Sequence, residues 1–131
     1  PSARTLRLEL PRFTLIAATT RIGLLSSPLR SRFGISFHLN FYDKKDIEKI
    51  IQRSARLLGV ELDPKACELI AGCSRCTPRV ANRLLKRVRD YAQVKGDGRI
   101  TLSLAKQALK MLEIDHLGLE PADRYILEVI I

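Results

Sequence analysis

Two arginine-bearing stretches carry most of the chemistry legible in this sequence. Arg79 follows Thr77-Pro78, a helix-start signal, so it falls in a first helical turn. Unpaired backbone N–H groups and the positive end of the helix dipole favour an anion at such a place. A guanidinium adds a planar fork that matches phosphate oxygens. The plainer reading is a solvated arginine paired with a nearby acid. Arg79, Arg83, Lys86 and Asp90 share one stripe of that helix, which suits either a wet face or an interface with a phosphate or neighbouring subunit. Arg30 and Arg32 sit in GLLSSPLRSRFG, a loop bracketed by Gly23, Pro28 and Gly34. An arginine presented this way can reach into a partner's site, as arginine fingers do in phosphoryl transfer.

Thr19, Thr20 and Arg21 end the compact apolar run FTLIAA of residues 13–18. Ligands of open α/β sheets sit beyond the carboxyl ends of strands, so these residues suit a phosphate neighbourhood or a simple polar turn. Cys67, Cys73 and Cys76 lie within ten residues, and the last two form a CxxC. Zinc needs four ligands. Neither His38 nor His116 is near in sequence, and there is no second CxxC. Cys67 and Cys73 occupy apolar positions of a helical pattern, so core thiols are expected. No GxxxxGK-Ser/Thr phosphate loop, no acidic run after a strand to hold Mg²⁺ and no Ser/His/Asp or Cys/His set is present. The chain alone is expected to be catalytically incompetent.

Alternation of Leu6, Leu8 and Leu10 predicts a short extended segment. Phe13–Ala18, apolar on both faces, predicts a central parallel strand. Phe37, Leu39 and Phe41 alternate with Ser36, His38 and Asn40 and predict another, with His38 exposed. From Asp43 the period changes to about 3.6 residues. Asp43 caps a helix burying Ile47, Ile50, Ile51, Ser54, Ala55 and Leu58, which Gly59 ends. Asp63-Pro64 opens a second helix, burying Ala66, Leu69, Ile70 and Cys73. Thr77-Pro78 opens a third, burying Val80, Leu84, Leu85, Val88 and Tyr91 or Ala92. After the turn Lys95-Gly96-Asp97-Gly98, Thr101 or Ser103 opens a fourth on Leu104, Ala105, Ala108, Leu109 and Leu112. A linker at 115–119 precedes a last helix from Ala122 to Ile131, whose apolar side (Tyr125, Ile126, Val129, Ile130) has no partner left in the chain.

The 131 residues suit one domain or pieces of two. A hydrophobic share of 46% excludes wholesale disorder. No apolar run approaches the ~20 residues of a membrane-spanning helix, and no basic start leads into an apolar signal region. The sequence therefore reads as a soluble protein without membrane association. An odd cysteine count points to a reducing compartment. With no initiating Met and an apolar last stretch, both ends read as cut from a longer chain. The net charge of +9 divides unevenly. Residues 1–42 carry six Arg against one Glu, residues 43–114 sixteen Lys or Arg against nine acids, and residues 115–131 one Arg against four acids. The basic surplus suits a polyanion, whether nucleic acid or nucleotide, or else a solubilising surface.

Taken together, PSARTLRLELPRFTLIAATTRIGLLSSPLRSRFG (1–34), FY (41–42), IIQRSARLLGVE (50–61), TPRVANRLLKRVRDYAQVKGDGRITL (77–102) and ALKMLEIDHLGLEPADR (108–124) resemble the RuvB family. These are hexameric AAA+ motors of Holliday-junction branch migration in DNA recombination, repair and the SOS response to DNA damage. The resemblance spans essentially the whole chain. It implies a mainly α fold: C-terminal strands of an α/β AAA+ large domain (1–43), a four-helix AAA+ lid (44–114) and the first helix of a winged-helix DNA-binding head (115–131). It further implies ATP as cofactor, with Mg²⁺ whose ligands, like the Walker A and B segments, are expected upstream of Pro1. Implied partners are Holliday-junction DNA, a RuvA-type junction-binding protein, a RuvC-type resolvase and five further copies in a homohexamer, in the bacterial cytoplasm.

Residue by residue, the resemblance makes Thr20 (or Thr19) the sensor-1 residue near the γ-phosphate. It makes Arg32 the arginine finger acting in trans, Tyr42 a nucleotide contact at the junction of large and small domains, and Arg79 the sensor-2 arginine acting in cis. Ala17 stands where the family has Gly, Ser31 where it has Asp, and Cys76 where a Gly precedes TPR. A Gly before TPR serves a positive φ, so Cys76 is expected to add roughly 1 kcal/mol of strain or to shift the loop that sets Arg79. The rival readings are a non-enzymatic basic helical nucleic-acid-binding module, or another AAA+ ATPase such as a clamp loader or replication initiator. The GDG turn and the LGLEPADR linker resemble neither of the latter two.

Overall fold

The computed structural model describes residues 10–131; the alternating leucines of the first extended segment fall almost wholly outside them. The fold is mainly helical, as expected. The described residues form two compact units that divide between His38 and Leu39.

The first unit holds a single 3-10 turn, Ile22–Leu24, and a six-residue helix α1, Ser27–Arg32, opened by Pro28 in its first turn. Phe13–Ala18 and residues 35–41 are not strands, which corrects the two strand assignments. A strand apolar on both faces is stable only when neighbours take up its backbone N–H and C=O groups and cover both faces. No such neighbour exists among the described residues, and Ile16, Phe37 and Leu39 are more than four-fifths exposed.

The second unit contains α2 (Lys44–Leu57), α3 (Pro64–Gly72), α4 (Pro78–Lys95), α5 (Leu102–Met111) and α6 (Pro121–Ile130). Local chemistry fixes most of the helix starts. Asp43 Oδ1 accepts the Asp46 N–H at 2.7 Å, Asp63 Oδ1 the Lys65 N–H at 2.8 Å, and Thr101 Oγ1 the Leu104 N–H at 3.3 Å. Helix α2 ends as its glycine predicts. Gly59 lies at φ +65° and the Val60 N–H closes onto the Ala55 carbonyl. Helix α5 ends in the same way, with Glu113 at φ +54° instead of a glycine and the Ile114 N–H on the Leu109 carbonyl.

Four helices, α2 to α5, enclose one core. Helix α2 contributes Ile47, Ile51 and Ala55, α3 contributes Ala66, Cys67, Ile70 and Ala71, and α4 contributes Ala81, Leu84, Leu85, Val88 and Ala92. Each fully buried Ile or Leu is worth about 1.5–3 kcal/mol of transfer free energy. Val80, Leu69, Leu104 and Tyr91 only rim the core. Two buried side chains escape helical periodicity. Ile100 sits in the α4–α5 loop, where its N–H donates to the Glu61 carbonyl and its own carbonyl accepts from Asp63 N–H, both at 2.9 Å. Ser74, beyond α3, is fully buried and its hydroxyl donates to the Ile70 carbonyl.

Candidate functional site

The segment before α4 determines how Arg79 is presented. Arg75 and Cys76 both adopt positive φ, +49° and +51°. The glycine-like position expected at Cys76 is therefore real, and Arg75 extends it by one residue. This turn brings the Arg75 carbonyl within 3.0 Å of the Thr77 hydroxyl, which donates to it. The Thr77 side chain is thereby diverted from the capping role that its sequence position suggests, and no side chain caps α4. Pro78 carries no N–H. The first turn of α4 thus presents backbone donors without an acidic side chain over them, with Arg79 exposed beside them.

The surrounding charges sharpen this. Arg75 Nη1 lies 3.1 Å from Asp123 Oδ2, and Arg83 Nη2 lies 2.5 Å from Glu120 Oε1. Arg89 pairs with its neighbour Asp90. Arg79, one turn from Arg83 and four residues from Arg75, pairs with no carboxylate among the described residues. The solvated ion pair considered for it is not formed. Tyr42, half exposed, immediately precedes Asp43, the cap of α2, and α2 packs against α4.

The remaining site residues belong to the other unit. The Arg21 N–H donates to Thr19 Oγ1 at 3.0 Å, so Thr19 is occupied in a local turn and the adjacent exposed Thr20 is not. Arg30 and Arg32 lie in the last turn of α1 rather than on an irregular loop, a placement that the helix dipole favours. Arg32 lines an open hollow with Leu15, Leu29, Phe33 and Gly34. Ser31 turns its hydroxyl back onto the Pro28 carbonyl at 3.1 Å, so no acid stands between the two arginines. Thr20 and Arg32 thus share one unit, and Tyr42 and Arg79 share the other.

The cysteines behave as packing groups at two of three positions. Burial pushes the Cys67 thiol up to about 11 and raises Cys73 as well, with the Asp115 charge adding to the latter. Their thiolates are disfavoured, which suits neither metal ligation nor nucleophilic attack. Cys76 is exposed. Among the described residues no group of three or more His, Cys, Asp or Glu is arranged to hold a metal ion. No helix among them is long and apolar enough to cross a membrane.

One feature that carries no sequence motif is the docking of the linker. A Cβ on Gly118 (φ +77°) would lie 2.2 Å from the Cys73 carbonyl oxygen, so only glycine fits there. Asp115 Oδ1 accepts the N–H groups of Leu117 and Leu119, each at 2.9 Å, and the Cys73 thiol donates to the Asp115 carbonyl. The Leu119 and Leu117 N–H groups, with Arg124 and His116, hold the Asp115 carboxyl below the usual carboxylate range against its desolvation.

The chain matches two family models: a Holliday junction DNA helicase RuvB P-loop domain over residues 1–39, and a RuvB AAA lid domain over residues 42–115. It is 60% identical over its whole length to the Holliday junction branch migration complex subunit RuvB of Dehalococcoides mccartyi, and spans 38% of that protein. It is 58% identical over 99% of its length to the subunit of the same name from Methanoregula boonei, spanning 39% of it. Among solved structures it is similar to the Thermotoga maritima RuvB Holliday junction branch migration motor. There the identity is 51% and the TM-score 0.74, over 82% of this chain and 36% of that one. The lid model alone accounts for more than half of the residues and coincides with the helical core built above: the chain belongs to the RuvB family.

Proposed function

We propose that this chain works as the nucleotide-responsive part of an ATP-driven motor that moves Holliday-junction DNA. In this reading residues 1–43 close the large ATPase domain, 44–114 form its lid and 115–131 begin the DNA-contacting head. The observation that carries the reading is the presentation of Arg79. It is a guanidinium with no carboxylate partner among the described residues, beside the uncapped N-terminus of α4, while Arg75 and Arg83 on either side of it are matched to acids. Such a combination binds a phosphate oxygen at little cost, because no existing ion pair has to break first.

The chain's residues then divide the work. Arg79 reads the terminal phosphate in cis and ties the lid to it. Tyr42 packs on the nucleotide where the two ATPase domains meet. Thr20 orients the attacking water, and Arg32 enters the neighbouring protomer's site and neutralises charge that develops on the transferring phosphoryl group. ATP supplies the scissile phosphoanhydride, and the Mg²⁺ ligands lie outside this segment. Closure of the lid around Arg79 converts turnover into displacement of the head on DNA. The partners that fit this role are a RuvA-type junction-binding protein, a RuvC-type resolvase and further copies of the chain in a homohexamer, all in the cytoplasm. The names of the related branch migration complex subunits support a role within such a complex on Holliday-junction DNA.

Replacing Arg32 by Ala in the full-length hexamer tests it. Nucleotide binding is expected to persist, while hydrolysis falls by on the order of 10³-fold, the lower range for a lost arginine finger. Near-normal turnover in that variant contradicts the role.

A further inference from the structure

Helix α6 is positioned by polar contacts rather than by a core. Among the described residues it packs on no other helix, and Tyr125, Ile126, Leu127, Val129 and Ile130 are all exposed. What joins it to the four-helix body falls into two sets. One is the linker itself: Gly118 against the Cys73 carbonyl, and Arg124, whose Nη1 donates to the Glu113 and Leu119 carbonyls at 2.9 Å each. The other consists of two ion pairs distant in sequence, Arg75–Asp123 and Arg83–Glu120.

On the α6 side, Glu120 and Asp123 are the two members of its capping box, each already bonded to the other's end of the first turn. Their direction is therefore fixed to the helix axis, and a pull on either carboxylate turns α6 as a body. On the α4 side, Arg75 and Arg83 flank Arg79. A displacement of the α4 N-terminus moves both pairs, and nothing apolar between α4 and α6 absorbs it.

We infer that Arg75–Asp123 and Arg83–Glu120 form an ionic clamp that transmits the orientation of the α4 N-terminus to helix α6. In the motor proposed above, on which this inference rests, the clamp carries the nucleotide state read at Arg79 into the head. Arg75 and Arg83 are thus positioning residues. They hold the two capping carboxylates and leave Arg79 unpaired for its anion.

The test uses full-length protein carrying Arg83→Gln, Glu120→Gln or both. Glutamine at 120 keeps an oxygen for the helix cap, so α6 is preserved while the charge is lost. Two quantities are read: ATP hydrolysed per base pair of branch migration, and the distance distribution between spin labels at positions 86 and 128, with Cys76 replaced by serine. Each single variant is expected to raise ATP use per base pair about two- to fivefold, the range one exposed pair can support. DNA-independent hydrolysis should stay near the parent value, and the label distances should broaden. The double variant should be no worse than either single one, because the pair is already broken. Additive losses, or label distances unchanged in both single variants, overturn the clamp. If the parent protein fails to move junctions, the motor reading fails, and the label distances still decide the clamp by themselves.

Discussion

At the scale of single residues, exposure and strain separate side chains that serve a ligand from those that serve the fold. Arg79 touches no acid among the described residues and covers no core, so Arg79→Ala is expected to change unfolding free energy by less than about 0.5 kcal/mol. The same change should abolish the response of the full-length protein to ATP. Urea unfolding beside nucleotide binding separates the two effects. Cys76, at φ +51°, is the reverse case. Cys76→Gly should stabilise by about 0.5–1 kcal/mol, the left-handed penalty less the extra entropy of an unfolded glycine. A lower urea midpoint in that variant would contradict the strain assigned to this turn. The strain at Cys76 was legible only through the family resemblance, in which a Gly precedes TPR where this chain has Cys76. The matching strain at Arg75 was not legible, since nothing in the residue type signals φ > 0. Nor was the diversion of the Thr77 hydroxyl, which follows from that strain.

At the scale of elements, the helices were legible and the strands were not, for one physical reason. A helix satisfies its own backbone, so a 3.6-residue apolar period and an Asp or Thr cap are local signals that survive without context. Helices α2 and α3 begin where Asp43 and Asp63 predicted, and α5 opens from its cap Thr101, the earlier of the two starts expected. A strand borrows its hydrogen bonds from neighbours, and Phe13–Ala18 has none among the described residues. The loop residue Ile100 and the buried Ser74 were missed because neither lies on a helical face. The clamp pairs were missed because 37 and 48 residues separate their members. The linker carries its own predictions. Gly118→Ala drives a methyl into the Cys73 carbonyl at a left-handed position and should cost about 2 kcal/mol or more, read by thermal unfolding. Asp115 has its folded pKa depressed, so its contribution is complete above the ordinary Asp value of ~4 and disappears as pH falls through the folded value. Amide exchange at Leu117 and Leu119 should accelerate at the acid end of that window. Asp115→Asn should remove the pH dependence, and an unchanged profile in that variant would contradict the assignment.

At the scale of the whole molecule, the division of residues between two units matters most. Thr20 and Arg32 fall in one and Tyr42 and Arg79 in the other; in the function proposed above, one nucleotide meets Tyr42 and Arg79 of its own chain and Arg32 of a neighbouring copy. A heterologous ring achieves this, since each protomer then offers different surfaces to its two neighbours. On the function proposed above, Arg79 acts in cis and Arg32 in trans on one triphosphate. Subunit mixing tests it most directly. Full-length Arg32→Ala and Arg79→Ala proteins, each nearly inactive alone, are mixed at varied ratios and their ATP hydrolysis is measured. A ring holding both contains sites with an intact Arg79 facing an intact Arg32, so activity should reappear and peak at equal mixing. Mixed rings that form but stay as inactive as either variant, at every ratio, would contradict the account.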